Sequence, residues 1–102
     1  MYDTKKLSHL KDIGAAAPDA MKAFEAFDQA CFAEGEVPSK YKELIAVAVA
    51  HTTQCPYCIE LHNKKARDAG ATNPEIAETI MVAAAMRAGA AVVHGTHCFV
   101  ES

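Results

Sequence analysis

Residues 55 to 62 read Cys55-Pro56-Tyr57-Cys58-Ile59-Glu60-Leu61-His62, and the way this stretch folds decides the rest of the chain. Proline lacks a backbone N–H and holds φ near the helical value, so Pro56 suits the first position of a helix, where that N–H would be unpaired anyway. A helix beginning there sets Cys55 and Cys58 close enough at its N-terminus to close a disulfide. The partial positive charge of a helix start also favours a thiolate over a thiol. His62 follows Cys58 by four residues and therefore lies one turn on along the same face. An imidazole in that place can take or relay the thiol proton.

Upstream, Pro38 and Ser39 punctuate the chain, and Ser39 is a good N-cap for a helix running to about Thr53. The centre of that segment, Leu44-Ile45-Ala46-Val47-Ala48-Val49-Ala50, is apolar on every side. Periodicity alone fits a buried strand or a fully buried helix. The preceding Lys40-Tyr41-Lys42-Glu43 lacks strand character and the alanines favour helix, so helix is expected. Further upstream, a polar lead-in and the flexible Gly14-Ala15-Ala16-Ala17 precede Pro18, which starts a helix over about 18–34. Its Met21, Phe24, Phe27, Cys31 and Phe32 recur at helical spacing as a core stripe, with Cys31 buried in it and Gly35 as a left-handed cap.

Downstream, Gly70 closes the Pro56 helix, and Thr72-Asn73-Pro74-Glu75 is a capping-box start for a helix to about Ala88. Gly89 is expected to break or kink it, with a last helix over Ala90–Val100. No segment alternates as a strand, and no repeat is present. The expected fold is all-α: a bundle of about five helices forming one domain over residues 1–102.

The totals agree with helices packed on helices. Of 102 residues, 51 % are hydrophobic, and 21 are alanines, which allow close helix approach. The formal net charge is −3, and Lys and Arg are scattered, so no basic stripe courts nucleic acid. The apolar run Leu44–Ala50 is far shorter than the roughly 18 residues of a membrane span. The start, Met1-Tyr2-Asp3-Thr4-Lys5-Lys6, is polar and offers no signal core, so no membrane partner and a cytoplasmic location are expected. Four cysteines in such a setting are expected to be reduced thiols, and a close pair reads as catalytic or metal-binding before it reads as structural. A chain of this length buries barely enough apolar surface to stand alone, which points to a homo-oligomer.

Three readings of the thiol pair compete. A zinc site would use Cys55, Cys58 and His62 and borrow a fourth ligand from His94, His97 or Cys98. A glutaredoxin-like domain shares the tetrapeptide Cys-Pro-Tyr-Cys but needs a parallel sheet around it, and the residues after Cys58 look helical. The third is dithiol redox chemistry on a helical scaffold, which needs no cofactor.

The wider pattern, Glu43-(11 residues)-Cys55-x-x-Cys58-x-x-x-His62 with Gly70-Ala71 and Pro74-Glu75-Ile76 beyond it, resembles the AhpD-like branch of the carboxymuconolactone decarboxylase superfamily over about residues 38–95. This resemblance implies a thiol-dependent peroxidase or disulfide oxidoreductase. It makes Cys58 the peroxide-attacking thiol, Cys55 the resolving thiol, and His62 and Glu43 a proton relay. It also implies a hydroperoxide or disulfide substrate, a thiol reductant, and assembly as a dimer, trimer or hexamer. Well-studied members carry a histidine between the two cysteines, where this chain has Tyr57. Ala46-Val47-Ala48-Val49-Ala50-His51 and Val82-Ala83-Ala84-Ala85-Met86-Arg87-Ala88-Gly89 are similar to a small peroxidase-like subgroup associated with arsenosugar synthesis. Decarboxylases of the superfamily, which act on carbon substrates, generally lack the thiol pair. Two plainer readings stand beside these: His51 filling a helix end, and His94, His97 and Cys98 forming a polar patch at a subunit contact.

Overall fold

The computed structural model describes residues 4–101; residues 1–3 of the polar lead-in and Ser102 lie outside it. It contains five α-helices: α1 (Leu10–Ala16), α2 (Pro18–Phe32), α3 (Ser39–Thr53), α4 (Pro56–Asp68) and α5 (Asn73–His94). Short 3-10 turns, Thr4–His9 and Gly95–Cys98, flank them, and no strand occurs among the described residues. The architecture is an all-α bundle, as expected. Its helices are not quite the five read from the sequence, because α1 occupies part of the presumed flexible stretch and no separate helix covers Ala90–Val100.

The ambiguous apolar run is helix α3. Glu43, Leu44, Val47 and Ala50 are buried on one face, at the three- and four-residue steps of a helix side. They pack on α4 and α5 around a core of Leu44, Val47, Ala66, Ala71 and Ile76, with Ile80 against it. Ala66 has no exposed surface, and its methyl lets the two helices approach closely. The opposite face of α3 is not buried: Ile45 is 56 % and Val49 52 % exposed.

Short-range signals set the turns around α4. Gln54 adopts left-handed φ 57° at the end of α3, and Cys55 N–H donates to Ala50 O at 3.2 Å, so the chain reverses within two residues. At the other end Gly70 takes φ 99°, a conformation glycine accepts without a Cβ clash. Gly70 N–H donates to Arg67 O and Ala71 N–H to Ala66 O, the paired bonds of a Schellman closure. The capping box that starts α5 is present in both halves, Glu75 N–H to Thr72 Oγ1 at 3.3 Å and Thr72 N–H to Glu75 Oε1 at 2.9 Å. The second carboxylate oxygen of Glu75 meets Lys40 Nζ at 2.7 Å and ties the start of α3 to the start of α5. This bond holds the Glu75 carboxyl below the ordinary carboxylate range and raises the Lys40 ammonium.

Four local expectations need correction. Gly89 does not interrupt α5, because its cost of about 1 kcal/mol relative to alanine is met by a neighbourhood of the best helix former: Ala84, Ala85, Ala88, Ala90 and Ala91. Ser39 is the first helical residue and not the cap; its N–H is satisfied by Glu34 Oε1 at 3.1 Å. α2 ends at Phe32, two residues before the expected end, and Gly35 is not among the positive-φ residues. The α2 stripe is not core either, since Cys31 is exposed and Phe24 and Phe27 are 60 % and 67 % exposed. The reason is tertiary. The α1–α2 arm reaches away from the three-helix core, and the Cα radius of gyration is 17.3 Å, against about 13 Å for a compact chain of this length.

The stretch Asn73–Cys98 is long and apolar enough to cross a membrane by length and composition, and 11 % of its apolar window is buried within the chain. Counting uninterrupted apolar runs misses this feature, because Thr79 and Arg87 punctuate the stretch without changing its average character.

Candidate active site

Cys55 is the N-cap of α4, in extended conformation at φ −100° and ψ 98°. Its Sγ accepts a hydrogen bond from Cys58 N–H at 3.3 Å, the bond that a serine or aspartate oxygen makes at this position. Cys55 and Cys58 are joined as a disulfide, with Cα atoms 5.3 Å apart. Both are partly buried.

One turn further along α4, His62 Nδ1 lies 2.7 Å from Glu43 Oε1. In the tautomer with the proton on Nδ1, the ring donates to the Glu43 carboxylate and Nε2 is the nitrogen left to accept. The two side chains are 11 % and 16 % exposed, and Glu43 is the one buried charged residue among those described. The hairpin explains the meeting. Glu43 lies some 15 Å up α3 from the turn, but α4 runs back alongside and brings His62 about 9 Å down its own axis. Contact between helix faces covers the rest.

Phe32, from the end of α2, stacks on the His62 ring with centroids 5.2 Å apart and planes 12° from parallel. Its backbone is fastened to α3: Ser39 Oγ donates to Phe32 O at 3.5 Å, and Lys42 Nζ donates to Ala33 O at 2.5 Å. The imidazole is thus held from two sides, by a carboxylate at Nδ1 and a ring on its face. Sequence reading assigned Phe32 to a core stripe and missed this role. No local signal reveals it, because the two rings are thirty positions apart in the chain.

Cys58, His62 and Phe32 line one open groove of about 330 Å³, whose floor is the Ala46 and Ala50 face of α3. The expected site residues Cys55, Cys58, His62 and Glu43 therefore converge. The remaining candidates do not join them. His51 Nδ1 lies 2.8 Å from Val47 O, the helix-end role expected of it. His94 and His97 meet edge to face at 5.2 Å at the far end of α5, and Cys31 and Cys98 are exposed free thiols. Cys55 and Cys58 are bonded to each other, and no group of three His, Cys, Asp or Glu among the described residues is arranged to hold a metal ion.

A helical bundle that presents a C-x-x-C pair at a helix N-terminus, backed by a Glu–His pair reaching across from the preceding helix, belongs to a known structural class. The carboxymuconolactone decarboxylase family model matches residues 18–101, and the chain belongs to that family. It is 57 % identical over 81 residues to uncharacterized protein 4 of a cox locus in Paracoccus denitrificans, covering 79 % of this chain and 70 % of that one. It is 33 % identical over 84 residues to an uncharacterized protein of Cupriavidus necator, covering 82 % and 74 %. Among solved structures, an apo carboxymuconolactone decarboxylase family protein from Legionella pneumophila superposes with TM-score 0.77 at 36 % identity, over 81 % of this chain and 75 % of that one. A Methanobacterium thermoautotrophicum protein gives TM-score 0.78 at 35 % identity, over 81 % and 93 %.

Proposed function

We propose that this chain is a dithiol peroxidase or disulfide oxidoreductase, cycling Cys55 and Cys58 between dithiol and disulfide. The observation that carries the reading is that Cys58, bonded to Cys55, and His62, bonded to Glu43, line one groove. His62 Nε2 takes the Cys58 proton, and the thiolate attacks the outer oxygen of a hydroperoxide R–O–OH. The O–O bond breaks, Cys58 becomes a sulfenic acid, and the alkoxide leaves as R–OH with the proton from His62. The Cys55 thiol then attacks the sulfenic sulfur, water departs, and the disulfide forms. Two electrons pass from the dithiol to the peroxide, and an external thiol reductant restores them by exchange.

Mixing fully reduced protein with one equivalent of cumene hydroperoxide tests this. Two thiols are expected to disappear per hydroperoxide, with the bridge mapping to Cys55 and Cys58 by peptide mass spectrometry and with Cys31 still alkylatable. A protein that leaves the hydroperoxide untouched is no peroxidase; if diamide still closes the same bridge, it is an exchanger of disulfides.

The working form in this reading is a homo-oligomer. The chain exposes 7930 Å², whereas a compact monomer of 10.9 kDa exposes about 5,600 Å². The excess, about 2,300 Å², is of the size one subunit buries in an obligate assembly. Much of it lies on α5, where Met81, Met86, Val92 and Val93 are each at least two-thirds exposed. Light scattering at micromolar concentration is expected to return a multiple of 10.9 kDa. A stable monomer would refute the assembly and leave the chemistry standing.

A further inference from the structure

We propose that Lys42 is an anion anchor at the rim of the groove that holds Cys58, so that the site takes an organic hydroperoxide carrying a carboxylate on its far end. The hydroperoxide half rests on the function proposed above. The anion half rests on the groove.

Lys42, Ala46, Val49 and Thr53 recur at three- and four-residue spacing along α3 and line one continuous trough with Cys58 and His62 on its other wall. Its walls are apolar, and its volume of about 330 Å³ is far more than hydrogen peroxide can fill. Apolar walls contribute to binding only through the hydrocarbon they cover. A substrate with a carbon chain uses them, and hydrogen peroxide does not.

The polar groups of the trough are few. The Cys58 sulfur, the His62 imidazole and the Thr53 hydroxyl are three of them. The Lys42 ammonium is the fourth, on a residue set off along α3 from Ala46 and Ala50 by one and two turns, roughly 6 and 12 Å, and it bonds the end of α2 whose Phe32 stacks on His62. One of its three N–H groups is given to Ala33 O, a neutral carbonyl, and Lys42 makes no ion pair among the described residues. Glu43, its neighbour in sequence, is turned into the core and engaged with His62. A carboxylate at Lys42 makes a charge-assisted hydrogen bond, and a chain of several carbons then spans the apolar wall to the sulfur. The same ammonium also closes the last turn of α2, where a cation favours the free carbonyls. The test therefore separates charge from hydrogen bonding.

The disulfide form is titrated with octanoate and with methyl octanoate, and the backbone amide shifts of Phe32, Ala46, Val49 and Cys58 are followed by NMR. Octanoate is expected to shift them and to bind at least about threefold more tightly than the ester, the range of a half-exposed ion pair. Lys42→Gln, which keeps a donor for Ala33 but no charge, is expected to lose that preference, and Lys42→Arg to retain it. Equal binding of acid and ester, or a preference that survives in Lys42→Gln, overturns the anchor. In single turnover, ω-hydroperoxyoctanoic acid is expected to react faster than its methyl ester, with the ratio falling toward one in Lys42→Gln. Octanoate binding that depends on Lys42 in a protein that consumes no hydroperoxide would uphold the anchor and overturn the peroxidase reading. Hydroperoxide consumption blind to the carboxylate would do the reverse.

Discussion

Cys58→Ser is expected to abolish hydroperoxide consumption and sulfenic acid trapping together, while Cys55→Ser still consumes one equivalent and stalls as the sulfenic acid. Two physical effects pull in opposite directions here. Cys55 is the N-cap, and its sulfur accepts the Cys58 N–H, a bond that together with the helix dipole stabilises a thiolate on Cys55. Cys58 has His62 one turn away on its own face, within the same groove and backed by Glu43. The dipole contributes up to about 1 kcal/mol at an exposed terminus, worth roughly fivefold. Positioned proton transfer contributes about a hundredfold or more. The second effect is larger, so Cys58 is the sulfur expected to attack. Rapid-quench thiol counting with dimedone trapping reads the difference directly. A Cys55→Ser protein that loses the first turnover while Cys58→Ser keeps it reverses the roles, and the N-cap bond then marks Cys55 as the nucleophile of a thioredoxin-type exchanger.

Glu43→Gln is expected to slow the first step about a hundredfold and to leave the fold nearly as stable as before. Glutamine keeps the shape and can still accept from Nδ1, but it lacks the charge that supports an imidazolium once the Cys58 proton arrives. Glu43→Ala adds a stability loss of about 1–3 kcal/mol, because it leaves a cavity and strips the half-buried His62 Nδ1 of its partner. The double variant Glu43→Gln/His62→Ala should react no more slowly than His62→Ala alone, since one relay cannot be broken twice. Stopped-flow thiol loss across these variants and the wild type measures the rates, and thermal melts measure the stabilities. If Glu43→Gln reacts like the wild type, the buried carboxylate serves packing alone.

The thiol motif was legible in the chain because everything that shapes it is local. Pro56 opens a helix whatever lies around it, three residues bring two sulfurs within bonding reach, and Thr72 with Glu75 caps α5 through its own backbone. Gly70 closes α4 for an equally short-range reason. Each of these is a relation between residues within one turn or two, where backbone geometry leaves little choice. Family resemblance supplied Glu43 as a partner for His62; spacing by itself does not join the two.

Tertiary structure alone decided the rest. Periodicity left the apolar run at the centre of α3 open to strand or helix, its flanks and alanines favoured helix, and its packing against α4 and α5 set Glu43 inward and Ile45 outward. Phe32 and Cys31 are neighbours in one apolar stripe, yet one stacks on His62 and the other faces solvent. Periodicity names a face but not what covers it, and α2 touches the core only near its end. The Glu43–His62 bond spans 19 positions and the Phe32–His62 stack 30. Contacts at such separations depend on how far each helix has run before the next crosses it, a quantity that no window of local sequence contains.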